Sequence, residues 1–458
     1  LQYLIICLLL FSGCSREFTN PYDPGVSPVD WKPKNLEISV ISTRKVDLNW
    51  ESGTQVPTLY VVERKTNDGD YVELGSTGLT VFTDSTLSEG TESYKYRVRA
   101  IVDERSSDPA PGKTIQWQTI GTKIWEDNFP SHVRRVEFTH SGNTLIVADM
   151  AGTIRAYDGY SSVIKWSTSI VGAIEDISIN SGDTRLAVGS SQSQANGSTN
   201  SLSLFDMKNG KSLWTKDFSR QIVSVKFSED DSKIATGSFD NRVRLHQATN
   251  GEEIWWGGNG YFVNAVDISS DGEKVVSGSW DHFVRCWDYQ TGEMLWESEH
   301  EGEVWIAQYS SDNSFIAMGV SGYAKILNSN TGTVTWNENY GGNLTNLDIS
   351  PDNKLAVFGH FNGTKCIDVD SGTQLWSSGW GGYDVTFNHS GDKAAGANAS
   401  GFVTIWDSRW GIVRWTGSHE GTVNNINFSS DDWLLASGSA DQMVRVWIAR
   451  NGWIVIDD

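Results

Sequence analysis

Residues 277–296 read SGSWDHFVRCWDYQTGEMLW, and the organisation of most of the chain follows from them. Phe283-Val284-Arg285-Cys286-Trp287-Asp288 is a strand-length run of β-forming residues, Gln290-Thr291-Gly292 is turn chemistry, and Leu295-Trp296 ends a further strand. Upstream, Val263-Asn264-Ala265-Val266-Asp267-Ile268, the turn Ser269-Ser270-Asp271-Gly272 and a strand ending Ser277-Gly278-Ser279 complete a four-strand unit. The unit repeats. Its last tryptophan recurs as Trp125, Trp166, Trp214, Trp255, Trp296, Trp336, Trp376 and Trp415, at spacings of 41, 48, 41, 41, 40, 40 and 39 residues. A period near forty with four strands per repeat predicts an all-β architecture with a β-propeller. Inner strands beginning near Val133, Ile174, Ile222, Val263, Val304, Leu344, Gly382 and Val423 predict eight blades. Seven is the alternative, because outer strands at Lys123-Ile124-Trp125 and Trp453-Ile454-Val455-Ile456 flank the array and one is surplus to ring closure.

SGSWDHFVRCWD (277–288) and SGSADQMVRVW (437–447) carry a resemblance to the WD-repeat family. The resemblance implies a hydrogen-bond tetrad within a blade, supplied in the last repeat by His419, Asp441, Trp447 and either Ser437 or Ser439. The aspartate is kept at Asp240 and Asp281 but replaced by Ala151, Thr199, Ser321, Phe361 and Ser400. A buried polar network rigidifies only where every member is paired, so most repeats need another device. The outer tryptophan after a Thr-Gly or Asn-Gly turn, as in TNGEEIW, TGEMLW, TGTVTW and SGTQLW, resembles the docking tryptophans of quinoprotein-type propellers. One blade cannot bury both faces alone, and an indole at a fixed outer position supplies the contact between neighbours. All eight tryptophans of the series are expected to be structural.

Before the array, residues 33–112 show short alternating strands, including Lys45-Val46-Asp47-Leu48-Asn49-Trp50, Leu59-Tyr60-Val61-Val62-Glu63-Arg64 and Tyr94-Lys95-Tyr96-Arg97-Val98-Arg99-Ala100. They resemble a fibronectin type III domain, with Trp50 as the core tryptophan of its second strand and Leu87-Ser88-Glu89-Gly90-Thr91 before Tyr94 as its tyrosine corner. That likeness implies a β-sandwich spacer without chemistry. Residues 15–32 are proline-bearing and polar, an extended tether, and residues 119–458 are assigned to the propeller. The apolar run LQYLIICLLLF followed by Ser12-Gly13-Cys14 resembles the signal peptide and lipobox of bacterial lipoproteins, residues 1–14. It implies lipidation at Cys14 and, with Ser15 next, an outer-membrane place in the bacterial cell envelope.

Composition narrows the function. Asp and Glu number 57 against 36 Lys and Arg, a formal charge of −21, which argues against nucleic acid as a partner. Cys286 and Cys366 share a third-strand position held elsewhere by Ala156, Leu204, Leu245, Ile326, Ile405 and Val446, so they are expected to pack. Glu137, Ser178, Lys226, Asp267, Gln308, Asp348, Thr386 and Asn427 occupy one inner-strand position and are expected to form a solvated channel wall. A pyrroloquinoline-quinone dehydrogenase is the natural enzymatic comparison, yet the chain has no vicinal cysteine pair, G-x-S-x-G, H-E-x-x-H or P-loop pattern. His132, His300 and His419 fall in different repeats, and SEDDSK, SSDGEK and SPDNK sit where hairpins must turn. No catalytic residue, cofactor or metal site is expected.

The loops WWGGNGYF (255–262), NYGGNL (339–344) and SGWGGYD (378–384) are unusually aromatic. Tyr261, Phe262, Trp280, Trp305, Tyr340, Trp380 and Tyr383 are therefore the candidate partner-binding residues, with the polar insertion 191–200 as an alternative contact. The expected function is an envelope-anchored, non-enzymatic scaffold that binds a protein, in the manner of the propeller lipoprotein of bacterial β-barrel assembly machinery. The alternative is a degenerate quinone-dependent dehydrogenase-like or carbohydrate-processing propeller. Protein and polysaccharide partners both stay open at this point.

Overall fold

Strand formation follows the alternation seen in the sequence, and no helix occurs among the described residues. The computed structural model describes residues 31–42, 44–53, 57–88, 93–102, 104–192 and 200–456. The signal-peptide reading with Cys14, the tether up to residue 30, Thr199 and most of the 191–200 insertion lie outside them.

The first of two compact units comprises the described residues from Trp31 to Gln118 together with Asn451–Ile456. Its strands are β1 (Lys34–Ser42), β2 (Lys45–Glu51), β3 (Leu59–Thr66), β4 (Val72–Thr77), β5 (Val81–Asp84), β6 (Ser93–Val102), β7 (Arg105–Ser106) and β8 (Lys113–Gln118). One sheet runs β1-β2-β5; the other runs β4-β3-β6-β8 and then takes a terminal strand, Gly452–Ile456. In β6 every second residue is buried, so Tyr94, Tyr96, Val98, Ala100 and Val102 meet Trp31, Leu48, Trp50 and Tyr60 in one core. The Ser88 amide donates to the Tyr94 hydroxyl at 3.1 Å. Burial works against the Asp84 carboxylate, but hydrogen bonds from Tyr96 (2.7 Å), Thr86 and Arg64 (2.6 Å) hold its pKa below the ordinary value.

The expected boundaries are corrected here. Residues 113–118 belong to the first unit, and Trp453–Ile456 is not an outer strand of the propeller but pairs with β8, Gly452 opposite Gln118 and Ile456 opposite Thr114. The reason is that β9 (Lys123–Asn128) already fills the outer place of the last sheet, with Trp125 opposite Val446. The place beside Met443–Ile448 is therefore already taken.

The second unit, Thr119–Arg450, contains eight four-stranded antiparallel sheets and is a β-propeller. Sheet 1 spans residues 133–169, sheet 2 173–218, sheet 3 222–258, sheet 4 263–299, sheet 5 304–339, sheet 6 344–378 and sheet 7 384–418. Sheet 8 is built from 423–448 plus β9. Inner strands touch their neighbours in turn, and that of sheet 8 touches that of sheet 1, which closes the ring. In sheet 4 the inner three strands are almost wholly buried while the outer one alternates with solvent, the burial order expected of a stacked blade.

The tryptophans of the outer series lock sheet to sheet. Trp166 Nε1 donates to the Met207 carbonyl of sheet 2 at 2.6 Å, Trp255 to Tyr289 of sheet 4 at 2.9 Å, and Trp376 to Ser408 of sheet 7 at 2.7 Å. Trp125, Trp214, Trp296 and Trp336 do the same to Gly159, Ala248, Ser329 and Gly372. Trp415 lies against Gly121, where a Cβ would come within 2.0 Å of the indole. Gly210 at φ +68° is the matching seat for Trp166: a side chain there would strike the ring, and the left-handed backbone suits only glycine without strain.

Candidate functional site

The inner strands decide what the ring presents at its centre. Each of sheets 1 to 6 and 8 carries a bulge near the start of its inner strand, at Arg134, Glu175, Val223, Asn264, Trp305, Thr345 and Asn424. A bulge re-aims one side chain out of the ladder. Several bulged residues reach the next sheet: Asn264 Nδ2 donates to the Trp305 carbonyl at 2.7 Å, Asn424 Nδ2 to Val133 at 2.8 Å, and Arg134 pairs with Glu175 at 3.3 Å.

The polar row expected to be a solvated wall is mostly part-exposed, with Lys226 open to solvent, and its side chains also bind the neighbouring sheets. Asn427 accepts the Phe138 amide at 2.8 Å, Glu137 that of Ile179 at 3.3 Å, Ser178 that of Phe227 at 3.1 Å, Asp267 that of Tyr309 at 2.8 Å and Asp348 that of Phe387 at 2.7 Å. A second row does likewise, with Asn425 on Val136, Asp176 on Val225, Ser224 on Val266 and Asp384 on Ile426. Inner strands of adjacent sheets diverge too far to share a ladder, so side chains satisfy the amides the ladder cannot. Lys226, Gln308 and Thr386 complete the first row, Lys226 lying 3.8 Å from Asp267. Burial in the channel pushes Glu137 up to about 7 and raises Asp267, Asp348 and Asp384 above the ordinary carboxylate value.

The loops entering the inner strands lie beside the turns before the third strands, as the Trp280 amide donating to the Phe262 carbonyl shows. There the aromatic candidates separate into three groups. Phe239 stacks on Phe262 (centroids 4.4 Å), Phe262 on Tyr261 (4.2 Å), and Trp280 lies 5.6 Å from Phe262 and 4.9 Å from Trp305. This tract crosses sheets 3, 4 and 5, with Tyr261 47% exposed and Phe262, Trp280 and Trp305 half-buried. Trp380, also 47% exposed, stands edge-on to Phe402, while half-buried Tyr383 meets Phe361 at 6.3 Å. Tyr340 is the correction: at 7% exposure it sits in the core with Phe358 and cannot serve a partner surface. It stands four residues before Leu344, as His419 stands four before Val423, and that register is the signal its sequence context held. Phe239, Phe361 and Phe402 were not singled out because no glycine-rich loop marks them.

Sheet 8 holds the full tetrad. His419 Nδ1 is 3.1 Å from Asp441, its Nε2 is 2.7 Å from Ser437 Oγ, and Trp447 Nε1 donates to the same oxygen at 2.9 Å. Burial alone would raise the Asp441 pKa, yet the His419 hydrogen bond and the Glu420 amide hold it well below the carboxylate range. In sheet 4 Trp287 donates to Ser277 at 2.8 Å, and Asn259 takes the place of the histidine. In sheet 5 the histidine position is kept by His300, which lies beside Lys325; in sheet 3 a histidine instead takes the third-strand tryptophan position, where His246 faces Thr236 and is pushed down to about 4 by burial. A basic residue on the third strand is the recurrent feature not anticipated: Arg244, Arg285 and Arg445 each bridge the turn aspartate (Asp240, Asp281, Asp441) and an outer-strand glutamate (Glu253, Glu297, Glu126). Cys286 and Cys366 are buried free thiols, the latter pushed up to about 12 by burial. No cluster of metal-ligating groups occurs among the described residues.

The family described as outer membrane protein assembly factor BamB matches residues 116–255, and the WD domain, G-beta repeat, matches 255–288 and 412–447. The two WD segments end on the two third strands whose tryptophan donates to a serine. The second unit is a β-propeller whose sequence is similar to both the WD-repeat and the quinoprotein-like families. WD repeat-containing protein SL1-17 of Schistosoma mansoni is 35% identical over 74 residues, 16% of this chain and 25% of that protein, so the chain spans about a quarter of the relative's length. The crystal structure of the computationally designed Ika8 protein superimposes with a TM-score of 0.63 at 19% identity, over 72% of this chain and 100% of that one. That likeness concerns the propeller fold alone.

Proposed function

We propose that the protein is a non-enzymatic scaffold of the bacterial cell envelope, lipid-anchored through Cys14, whose propeller binds a protein partner through its aromatic loop face. The observation that carries the reading is the stacked tract from Phe239 to Trp305, which spans three adjacent sheets and leaves Tyr261 open to solvent. Aromatic side chains provide contact area with little entropy to lose, which is why they anchor protein interfaces. WD repeats are interaction modules, and the family matching residues 116–255 is described as an outer-membrane assembly factor; both support the reading. We read each of the eight sheets as one blade. The first unit we read as a fibronectin type III-like spacer, on the strength of its two-sheet order and the bond from Ser88 to Tyr94.

The test is capture of a partner from detergent-solubilised envelopes by the wild-type chain and by a Tyr261→Ser/Trp380→Ser variant. Capture should be lost with the melting temperature nearly unchanged, and it should be only mildly salt-sensitive. Capture equal to wild type would sink the proposal, and loss accompanied by a large drop in stability would reassign these rings to packing. Cys14→Ala should release the protein from membrane fractions. A bound chromophore with quinone-dependent dye reduction would instead favour the enzymatic reading.

A further inference from the structure

Strand Gly452–Ile456 lies antiparallel along β8 in five residue pairs. The other side of β8 is held by β6, from Ser93 opposite Gln116 to Tyr96 opposite Lys113. Among the described residues the strand is thus the last of its sheet, paired on one side only. Chain order makes it separable. Ile448 and Ala449 are still fixed in the propeller, their amides donating to the Thr122 and Trp433 carbonyls at 2.8 and 2.7 Å, and only Arg450 and Asn451 separate them from the strand. The segment Gly-Trp-Ile-Val-Ile carries no charge and is rich in β-branched residues. Such a sequence favours the extended state wherever a ladder is offered. An edge strand is, in turn, a row of backbone donors and acceptors that pairs with any suitable extended chain.

We propose that the edge of β8 is a strand-addition site, filled in this structure by the chain's own Gly452–Ile456 and able to take the same segment from a second copy in its place. Recognition is by backbone pairing, so the ligand class is an extended, uncharged peptide rich in β-branched residues. The short link to the propeller gives the resident strand a high effective concentration, which keeps free strands out until it is released.

The test uses the full chain with Ile454→Pro and Val455→Pro together, because amides along an antiparallel strand alternate in direction and one of these two must face β8. The probe is a fluorescent synthetic peptide of residues 451–456 with blocked ends. The proline variant should bind it at least tenfold more tightly than wild type, and a peptide bearing the same two prolines should bind neither. With the propeller's melting transition intact, binding no better than wild type overturns the proposal. A second measurement reads the β8 edge itself: in the proline variant, hydrogen exchange in 113–118 should be at least tenfold faster than in the wild type, and excess unlabelled peptide should slow it again. Equal exchange with and without peptide would overturn it as well.

Discussion

Sheets 7 and 8 share one strand plan but are held together differently inside. In sheet 8 a single hydroxyl, Ser437, joins Trp447 to His419 and, through it, to Asp441. In sheet 7 Gly396 stands opposite Thr404, as Ser437 stands opposite Arg445, and the Trp406 indole packs over the glycine with its Nε1 unpartnered. Both sheets nevertheless complete the same ring, each bound to its neighbours by inner-strand side chains, and sheet 7 receives the Trp376 indole. The difference teaches that cohesion here lies chiefly between sheets, and that the tetrad is a local reinforcement.

The strongest way to break that conclusion is to remove an inter-sheet indole. Trp255→Ala should cost about 3 to 5 kcal/mol, since the ring is buried and its site cannot collapse. A thermal melt like that of wild type would overturn the ranking of sheet-to-sheet contacts above internal ones. Next in size, Ser437→Ala should cost about 2 to 3 kcal/mol, because His419 and Trp447 both lose a partner. Ser277→Ala should cost about 1 to 2 kcal/mol, because chiefly Trp287 does. Denaturant titrations giving equal losses would show that the histidine adds nothing. Trp447→Phe should cost roughly 1 kcal/mol more than Trp406→Phe, the second ring having no hydrogen bond to lose.

The smallest effect tests the channel. Glu137, raised by burial to about 7, faces Asp176, Lys226 and Arg135 and accepts the Ile179 amide. Because its folded pKa lies above the unfolded one, its contribution is full below about pH 4.5 and is lost as pH rises through about 7. Glu137→Gln should therefore flatten stability between pH 5 and 8 by about 1 kcal/mol, allowing for channel water. Parallel pH profiles for variant and wild type would count against a titrating carboxylate in the ring.

Much of this was legible in the sequence because the docking indoles repeat at one outer position, so their period exposed both the propeller and its inter-sheet contacts. The inner polar row was equally visible, but its task was hidden: the amide that Glu137 satisfies belongs to Ile179, in the following sheet. Tyr340 misled because an aromatic beside glycines reads alike whether its loop faces solvent or folds inward. The terminal strand misled for a related reason: Trp453-Ile454-Val455-Ile456 has the outer-strand pattern, and only competition with β9 for the same edge decides where it pairs.

That competition also sets a timetable. β9 is the outer strand of a sheet whose other strands are residues 423–448, and the first unit takes its last strand from 452–456. At ribosomal speeds of about 5 to 20 residues per second, β9 waits on the order of 15 to 60 s for its partner to be made. Neither unit is finished before the other is nearly so. A ribosome that stalls anywhere between sheets 2 and 7 therefore leaves two incomplete folds rather than one complete fold and a tail.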